Sequence, residues 1–511
     1  MQAPAAPAKR LRLVVVVSAA VIYCALVAAL TGPGFASFDT AYQWWMGRHA
    51  EFSTLWPPSY VVTFAGFDVF SPYIDAPTVW FCVNLTLLSA ASSVIGNLCS
   101  RAPVGAVAIF LALAMSPVSW LLVPHVWSDV ALVAVLLFSV ACLLAAFSRD
   151  TNKRSHALLH CAALVCLFTA VGIRHNAMFA VLPLTTLWCL IALHTFLERY
   201  ARRLRISFAL MGAVLVTTVF ALVHFGLSRV LATERSDTWA ITAIWDLQAL
   251  SIATNQVLVP PVISLNTNLV DLRASYDPAN AVALYFHSKA SWANSTTGLS
   301  HQQAIDLAAA WWQAVRATPT YYFAHRARAI ALMLGIDQRD AITGSLIAAG
   351  TRVEPGQTSF RDNPTRAFWW NWGVNAWRHI GDYVTSSRWG TPAATLLMSL
   401  LAIMYHLTQR LVRRALSGSD APMKSGDTVG SGQTFGHISP TLLPDTLPFA
   451  VTCLASGSLY FAGLFVAAPT ADMRYAFWPV VAAILTAVFI CTMRSPSDTG
   501  NPAAGITSPV S

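Results

Sequence analysis

Acidic and basic side chains that could do chemistry stand beside the long apolar runs of this 511-residue chain. Asp39 follows the first run in the segment FDTAYQWWMGRH, and Asp129 precedes a later run in PHVWSDVAL. Arg174 and Arg474 lie at two further junctions, in GIRHNAM and PTADMRYAF. A carboxylate can accept a proton from a hydroxyl group, and the planar fork of arginine suits phosphate oxygens. These junctions therefore supply candidate proton acceptors and candidate ligands for an anion.

The segment around Asp39 predicts a helix that leaves this carboxylate free. Thr40 and Gln43 have capping-box spacing, so a helix beginning at Ala41 would take Thr40 as its N-cap. The alternatives are that Asp39 is itself the cap, or that it is a solvated loop acid. On the first interpretation Asp39 is the candidate catalytic carboxylate and Gln43 is a possible substrate contact. Trp56-Pro57-Pro58 then ends the helical part and turns the chain back toward the membrane.

Asp129 lies at the mouth of a predicted span, four residues after His125. If the chain is helical from Pro124, this spacing places both side chains on one helix face. Asp129 would then be a second acid of the site, with His125 as a possible substrate contact. The alternative is that Ser128 or Asp129 only caps the following helix.

Arg174 lies in a very short connection between two apolar runs, followed by His175 and Asn176. Snorkelling of the guanidinium toward water is one explanation of its position. The other is an anionic ligand, because an arginine on the outer side of a membrane runs against the usual charge bias. On this second interpretation Arg174 binds phosphate, and His175 and Asn176 are possible substrate contacts.

Arg474 begins the last apolar run and is followed by Tyr475. An arginine at a helix N-terminus opposes the helix dipole, at a cost of a few tenths of a kcal/mol up to about 1 kcal/mol. A bound anion would reverse that sign, because the dipole and the guanidinium both favour negative charge there. We therefore predict that Arg474 and Tyr475 join Arg174 in binding a phosphate.

Ten apolar runs of about 17–25 residues predict the helices that hold these junctions in place. None of the ten contains Asp, Glu, Lys or Arg. They cover residues 13–31, 77–98, 104–123, 130–148, 157–173, 177–197, 206–227, 391–409, 447–468 and 475–493.

The distribution of basic residues predicts the orientation of these spans. With the N-terminus in the cytoplasm, sixteen Lys and Arg fall on the inner side, and only Arg48, Arg174 and Arg474 fall in short outer segments. The sixteen are Lys9, Arg10, Arg12, Arg101, Arg149, Lys153, Arg154, Arg199, Arg202, Arg203, Arg205, Arg410, Arg413, Arg414, Lys424 and Arg494. The candidate site residues then share the outer side.

Composition leads to the same class of protein. Hydrophobic residues make up 56% of the chain and charged residues only 11%, which excludes a soluble enzyme, a disordered scaffold and a fibrous protein. The net charge of +9 lies in short clusters between apolar runs, so no nucleic acid is expected as a partner. We predict an all-α polytopic membrane protein with about ten transmembrane helices and a mainly helical outer, periplasmic region.

The predicted organisation has four parts. They are an N-terminal membrane bundle at 1–227 with an outer loop at 32–76, a periplasmic region at 228–390, three further spans at 391–493 with a flexible inner loop at 415–445, and a disordered tail at 494–511.

The outer region at 228–390 contains helical stretches, among them LSHQQAIDLAAAWWQAVRA and TPTYYFAHRARAIALMLGI. His325 and Arg326 in the second stretch are possible substrate contacts. The Trp-rich segment RAFWWNWGVNAWRH could stack sugar faces or fill the core of a small helical domain lying on the membrane. No phosphate-binding loop, dinucleotide motif, HExxH or GxSxG occurs, and we expect neither a metal nor a cofactor.

Taken together, these features resemble the GT-C class of membrane glycosyltransferases, a superfamily that includes protein O-mannosyltransferases and lipid A aminoarabinose transferases. The matching features are Asp39 ahead of an interfacial helix and a Pro-Pro turn, Asp129 at the mouth of a span, the Arg174-His175-Asn176 hairpin, and Arg474-Tyr475. The chain departs from the class at Thr40, where several relatives carry a second acid. The resemblance covers residues 13–200 and 391–493.

The resemblance implies an inverting transfer of a sugar from a polyprenyl-phosphate donor to a lipid or glycan acceptor at the periplasmic face. Asp39 would be the general base, Arg174, Arg474 and Tyr475 would hold the donor phosphate, and Asp129 would orient the acceptor or the loop. The expected location is the inner (cytoplasmic) membrane of a bacterium, among membrane lipids, in a multi-pass chain with a cytoplasmic N-terminus.

Three other functions stay open at this point. A lipid-linked sugar flippase or another transporter would need ionisable groups near the middle of the bilayer. An O-antigen ligase or polymerase would also combine many spans with a large outer loop. A non-catalytic assembly or receptor protein would need no converging acid and base at all.

Overall fold

The computed structural model describes residues 6–148, 152–193, 196, 200–264, 267–281, 299–337, 359–418 and 446–492 of the chain. Over these ranges the protein is an all-α polytopic membrane protein, which confirms the predicted fold class. The described strands form one very short parallel pair, Phe52–Ser53 (β1) beside Ala232–Glu234 (β2). The predicted inner loop lies mostly, and the predicted tail wholly, outside the described residues.

The helices of the described part are numbered here in chain order. The first nine are α1 Ala6–Thr31, α2 Phe38–His49, α3 Pro58–Asp68, α4 Ala76–Cys99, α5 Pro103–Ala114, α6 Pro117–Leu122, α7 Ser128–Phe147, α8 Lys153–Ile173 and α9 Met178–Ala192. The remainder are α10 Arg202–Leu231, α11 Thr238–Thr254, α12 Leu269–Ala274, α13 His301–Ala317, α14 Pro319–Met333, α15 Asn371–Ser386, α16 Pro392–Gly418, α17 Leu447–Ala467 and α18 Phe477–Thr492. Short 3-10 helices lie at His175–Ala177, Arg388–Gly390 and Met473–Ala476.

Nine helices of the described part are long and apolar enough to cross a bilayer. About 20 apolar residues in a helix span the hydrocarbon layer with every backbone group bonded internally. The nine are α1, α4, α7, α8, α9, α10, α16, α17 and α18. For α9 and α18 the span includes the 3-10 helix that precedes each of them. Helix α7 is the most deeply buried, whereas α10 and α16 have most of their surface outside the bundle.

The prediction of a tenth continuous span at 104–123 is wrong, because this stretch is two short helices. α5 ends at Ala114 and α6 begins at Pro117. The Ser116 hydroxyl accepts a bond from the backbone N–H of Ser119, and Pro117 occupies the first position of α6. Proline lacks an N–H, which suits the first position of a helix, so the cap at Ser116 and Pro117 together start a new helix here.

The broken pair still joins the same two ends of the bundle as α1 does. At the start of α5, Arg12 Nη1 donates to the Ser100 carbonyl over 2.6 Å. After α6, the backbone N–H of Phe35 donates to the Pro124 carbonyl over 2.9 Å. The alternation of the chain between the two ends is therefore kept. We call the end that carries residues 32–75 the loop end; which side of the membrane it faces stays a prediction.

The loop end is held by a segment that comes much later in the chain. Arg366, which is nearly fully buried, pairs with Asp75 over 2.9 Å and donates to the carbonyls of Pro33 and Gly34. Three residues later, the Trp369 N–H donates to the Gly32 carbonyl, just after the end of α1, over 2.9 Å. The part of the predicted periplasmic region from residue 359 onward therefore packs directly on the membrane bundle.

Helices α11, α13 and α14 form a small cluster above the loop end. The predicted helices in LSHQQAIDLAAAWWQAVRA and TPTYYFAHRARAIALMLGI are present as α13 and α14. Their shared core contains Ile244, Leu250, Leu307 and Tyr322. The backbone of this cluster bonds to the connection between α17 and α18, where the Ala471 N–H donates to the Ala279 carbonyl over 2.7 Å.

Candidate functional site

Asp39 is held in the first turn of α2. The helix begins at Phe38 after Ser37, whose extended backbone makes it the N-cap residue. The prediction that Thr40 caps a helix from Ala41 is wrong, because the buried Thr40 hydroxyl donates to the Val126 carbonyl over 2.7 Å. The Asp39 carboxylate takes no part in capping, as expected, and its side chain is 32% exposed. Its position in the first turn also agrees with the helix dipole.

Arg474 contacts Asp39 from the other end of the sequence. Its Nη1 atom lies 2.8 Å from Asp39 Oδ2. Asp472 caps the 3-10 helix that carries Arg474, since its Oδ1 accepts the Arg474 backbone N–H over 3.0 Å, and its Oδ2 lies 3.1 Å from Arg474 Nε. One guanidinium is therefore shared by two carboxylates.

Asp129 and Arg174 form a second ion pair beside the first. Asp129 lies in the first turn of α7, with only 3% of its side chain exposed, and Arg174 Nη1 contacts its Oδ1. Arg174 also lies over the Tyr475 ring, with its Cζ atom 4.8 Å from the ring centroid. Arg474 Nε is 3.8 Å from Asp129 Oδ2, which joins the two pairs into one cluster. We call Asp39, Asp129, Arg174, Asp472 and Arg474 the charged cluster.

His125 does not share a helix face with Asp129, so that prediction is wrong. Residues 124–127 are not helical, and the backbone at His125 pairs with Phe35 as an isolated bridge. The His125 ring is fully buried and stacks on Trp127 at a centroid distance of 4.0 Å. His125 does not line either cavity described below.

The charged cluster holds three carboxylates and two guanidinium groups, which gives a formal charge of −1 when all are ionised. Burial raises the pKa of Asp472 above its ordinary value, although Arg474 opposes the shift. The two arginines are thus already engaged by acids. Any anion that binds to either arginine has to compete with a carboxylate.

The charged cluster opens into a cavity of about 840 Å³ at the loop end. Asp39, Asp129, Arg174, Arg474 and Tyr475 all line it, together with His175 and Asn176 as predicted possible contacts. The facing wall is formed by Trp56, Trp239, Thr242, Asp246 and Trp311. The predicted catalytic carboxylate, second acid and phosphate-binding side chains therefore line the same cavity. The roles assigned to them stay predictions.

A second cavity of about 800 Å³ lies between α9 and α10, next to the first. Both cavities are lined by Pro57, His175 and Thr238. On the α10 side, the second cavity is lined by Val214, Leu222 and Phe225, which are also exposed on the outer surface of the bundle, and by polar residues such as Thr217 and His224. Arg229 and Arg235 line it near the junction.

His325 and Arg326 do not line either cavity, which contradicts their prediction as direct substrate contacts. They are buried behind Asp246, which does line the larger cavity. Arg326 Nη2 lies 2.8 Å from Asp246 Oδ2, and His325 Nε2 lies 3.4 Å from Asp246 Oδ1. Burial lowers the pKa of His325, although its hydrogen bond with Asp246 opposes the shift. Arg326 also donates to the Ala468 carbonyl over 2.8 Å, so it ties α14 to the connection that leads to Arg474.

Gln43 is the remaining predicted contact that the structure places away from both cavities. Its side chain is buried at 1% exposure inside the wall formed by α2. Although Gln43 lies one turn along the helix from Asp39, packing covers its side chain, and it does not line either cavity.

Two residues of the site were missed in the sequence although a signal for each was present. Asp246 is an acid in the middle of the apolar stretch TWAITAIWDLQALSIAT, and such an acid is buried only when it is paired. Asp472 stands two residues before Arg474, where a cap of a short helix is common. Arg229 and Arg235 carry no such local signal.

In the part of the chain that the structure describes, no three His, Cys, Asp or Glu side chains are grouped so as to hold a metal ion. Comparisons of the chain with protein-family models, with curated proteins and with solved structures find no match. The function therefore has to be argued from the site alone.

Proposed function

We propose that this protein is a membrane glycosyltransferase that moves a sugar from a polyprenyl-phosphate donor to a hydroxyl acceptor at the loop end. The proposal rests on one observation. A carboxylate–guanidinium cluster lines a cavity that shares Pro57, His175 and Thr238 with the wall of a second cavity, on the side of α10. The first cavity has the polar groups for chemistry, and the second has the apolar walls that an isoprenoid chain needs.

The pairing of Asp39 with Arg474 suggests an order of events. When a donor phosphate takes Arg474, it displaces the Asp39 carboxylate from a contact of 2.8 Å. Asp39 is then a free base next to the sugar, since the phosphate and the anomeric carbon are joined through one oxygen. Donor binding would thus prepare the base for the acceptor.

In the transfer step, Asp39 accepts the proton of the acceptor hydroxyl as that oxygen attacks the anomeric carbon. The bond between the anomeric carbon and the phosphate oxygen breaks, and the oxygen keeps the electron pair. The leaving polyprenyl phosphate gains one negative charge, which Arg174 and Arg474 stabilise. Attack from the face opposite the phosphate gives inversion, as the resemblance to GT-C enzymes implies.

The facing wall of the cavity suits the acceptor. Trp56, Trp239 and Trp311 offer aromatic surface, and Trp311 Nε1 donates to Asp246 Oδ2 over 2.8 Å. Flat aromatic surfaces beside a few fixed polar groups are typical of pockets that bind a ligand through one apolar face. We also propose that the loop end faces the periplasm and that the membrane is the inner membrane of a bacterium.

The transporter alternative is less well supported. In the described spans, Asp, Glu, Lys and Arg occur only near helix ends, whereas transporters usually carry such groups near the middle of the bilayer. The ionisable groups described above instead gather at one end of the bundle.

A transfer assay tests the proposal. The purified protein is mixed with a polyprenyl-phosphate sugar carrying a radioactive label and with a lipid extract as the source of acceptors. We expect label in a new lipid or glycan product, and an equal amount of polyprenyl phosphate released. Donor that crosses vesicle bilayers without release of polyprenyl phosphate would instead support a flippase and would refute the enzyme.

A further inference from the structure

Helix α15 (Asn371–Ser386) leads into the span α16 and has one face buried against the bundle. Val374 is 5% exposed and Trp377 is 1% exposed. The Trp377 ring stacks on Trp120 of α6 at a centroid distance of 3.9 Å. A Cβ atom at Gly373 would lie 2.9 Å from the Cα atom of Leu30, so α15 touches the end of α1 closely.

A second face of α15 is exposed and mostly apolar, with His379 at its edge. Trp372, Ile380 and Tyr383 are 63%, 43% and 77% exposed, and Ala376 lies between them on the same stripe. Positions 372, 376, 380 and 383 lie above one another on a helix of 3.6 residues per turn. Large apolar side chains grouped in this way mark a surface that is covered by something other than water.

The third face of α15 is polar. Asn371, Asn375, Arg378 and Asp382 are exposed and form a stripe of their own. Around the helix axis the order is therefore a buried face, an apolar exposed face and a polar exposed face. A helix in a soluble protein would have only the first and the third.

The apolar face continues into surfaces that the spans turn toward lipid. Trp370 and Trp389, at 48% and 71% exposure, extend it at either end of α15. Exposed apolar side chains of α1, such as Ile22, and of α16, such as Met398, carry the same surface along the spans. Because α1 ends beside α15 and α16 begins six residues after it, α15 lies at the level where the spans leave the hydrocarbon layer.

We propose that α15 lies in the bilayer interface at the loop end, with Trp372, Ile380 and Tyr383 in the boundary between headgroups and acyl chains. Trp and Tyr favour this depth because one part of the ring system is apolar and another bonds to water. The polar stripe then faces the solvent, as in other helices that lie in the plane of a membrane. The occupant of the apolar face is phospholipid, since the face is continuous with the lipid-facing sides of two spans.

This inference does not depend on the proposed function, but it bears on the site. The segment before α15 holds the first loop through the contacts of Arg366 with Pro33 and Gly34. A helix fixed at one depth in the interface also fixes the depth of that loop, which continues to Asp39.

Photo-crosslinking in vesicles of phosphatidylethanolamine and phosphatidylglycerol tests the inference. The full chain carries Ile380→p-benzoylphenylalanine on the apolar face or, as the matched control, Asn375→p-benzoylphenylalanine on the polar face. After irradiation, mass spectrometry of the labelled peptide identifies what the benzophenone has attacked. We expect phospholipid adducts at position 380 at roughly ten times the yield at position 375, because only the first label reaches acyl chains.

Two results would overturn the inference. Equal lipid adducts at both positions would show that α15 has no preferred face toward the bilayer. Adducts of position 380 with a second copy of the chain or with another protein, without phospholipid, would show that a protein covers the face. Tyr383→p-benzoylphenylalanine, which replaces one aromatic ring by another, repeats the test on the same stripe if the first label disturbs folding.

Discussion

Replacing Asp39 by Asn tests the base directly, because the shape of the side chain is kept while its charge and its capacity to accept a proton are lost. Asp39 takes no part in capping α2, and about a third of its side chain is exposed, so folding should be little affected. The variant therefore separates chemistry from structure better than a change at the buried Asp129 would.

The expected effects on turnover and on donor binding have opposite signs. Loss of a general base lowers kcat by about 10²–10⁴-fold, or roughly 3–5 kcal/mol of transition-state stabilisation. Donor affinity should not fall. The ion pair of Asp39 with Arg474 is partly exposed and contributes up to about 1 kcal/mol, so its removal should tighten phosphate binding by up to about fivefold.

Asp472→Asn is the matched control. It removes the same charge from the same guanidinium, at 3.1 Å from Arg474 Nε, but Asp472 is not among the residues that line the cavity. Its amide oxygen can still accept the Arg474 backbone N–H. We expect a similar gain in donor affinity, with kcat within about tenfold of the wild-type value.

Single-turnover transfer with bound donor gives kcat, and titration of the donor gives its Kd. Wild-type turnover in Asp39→Asn would refute the assignment of the base. Equal loss of turnover in Asp39→Asn and Asp472→Asn would show that the charge of the cluster matters and that neither carboxylate is the proton acceptor.

Three further predictions follow from the ion pairs. Arg474→Ala should weaken donor binding more than Arg474→Lys, because lysine keeps the charge; equal Kd values in a donor titration would remove its phosphate role. Arg174→Gln should lower the free energy of unfolding by about 3 kcal/mol, since Asp129 at 3% exposure loses its closest partner, and adding Asp129→Asn should restore most of it in a detergent unfolding assay. Burial lowers the pKa of His325 in the folded protein, although Asp246 opposes the shift. Because the unfolded chain therefore takes up this proton at a higher pH, the free energy of unfolding should fall as the pH drops below about 6.5. In His325→Gln this part of the pH dependence should vanish, and an unchanged profile of melting temperature against pH would contradict it.

The spans were predictable because the bilayer imposes a simple rule on the sequence. A run of about 20 apolar residues has few stable alternatives to a membrane helix, and nine of the ten predicted runs are long apolar helices in the structure. The exception contains Pro117, whose effect on a helix is also local. Both the nine confirmed spans and the one error therefore depend on residues that are close together in the sequence.

Details that depend on tertiary packing were not predictable. Thr40 and Gln43 match a capping box, yet the Thr40 hydroxyl bonds to the carbonyl of Val126, which lies 86 residues away in sequence. A local pattern cannot reveal a partner that another helix brings into reach. The position of His325 could not be predicted for the same reason, because its burial behind Asp246 depends on how α11 and α14 pack.

The convergence of Asp39, Asp129, Arg174 and Arg474 was suggested by sidedness and chain order alone. Sidedness restricts side chains to one plane, and only helix packing decides which of them touch. The structure adds the carboxylates that compete for the arginines, namely Asp472 for Arg474 and Asp129 for Arg174. Under the proposed function, these carboxylates couple the binding of an anion to the release of an acid.

The distance along the chain between partners has a consequence for biosynthesis. Asp39 leaves the ribosome early, whereas Arg474 follows 435 positions later, and the clamp at Arg366 comes 332 positions after Gly34. Translation thus delivers Asp39 long before the cation that pairs with it. The charged cluster is complete only when α18, the last span, has been inserted into the bundle.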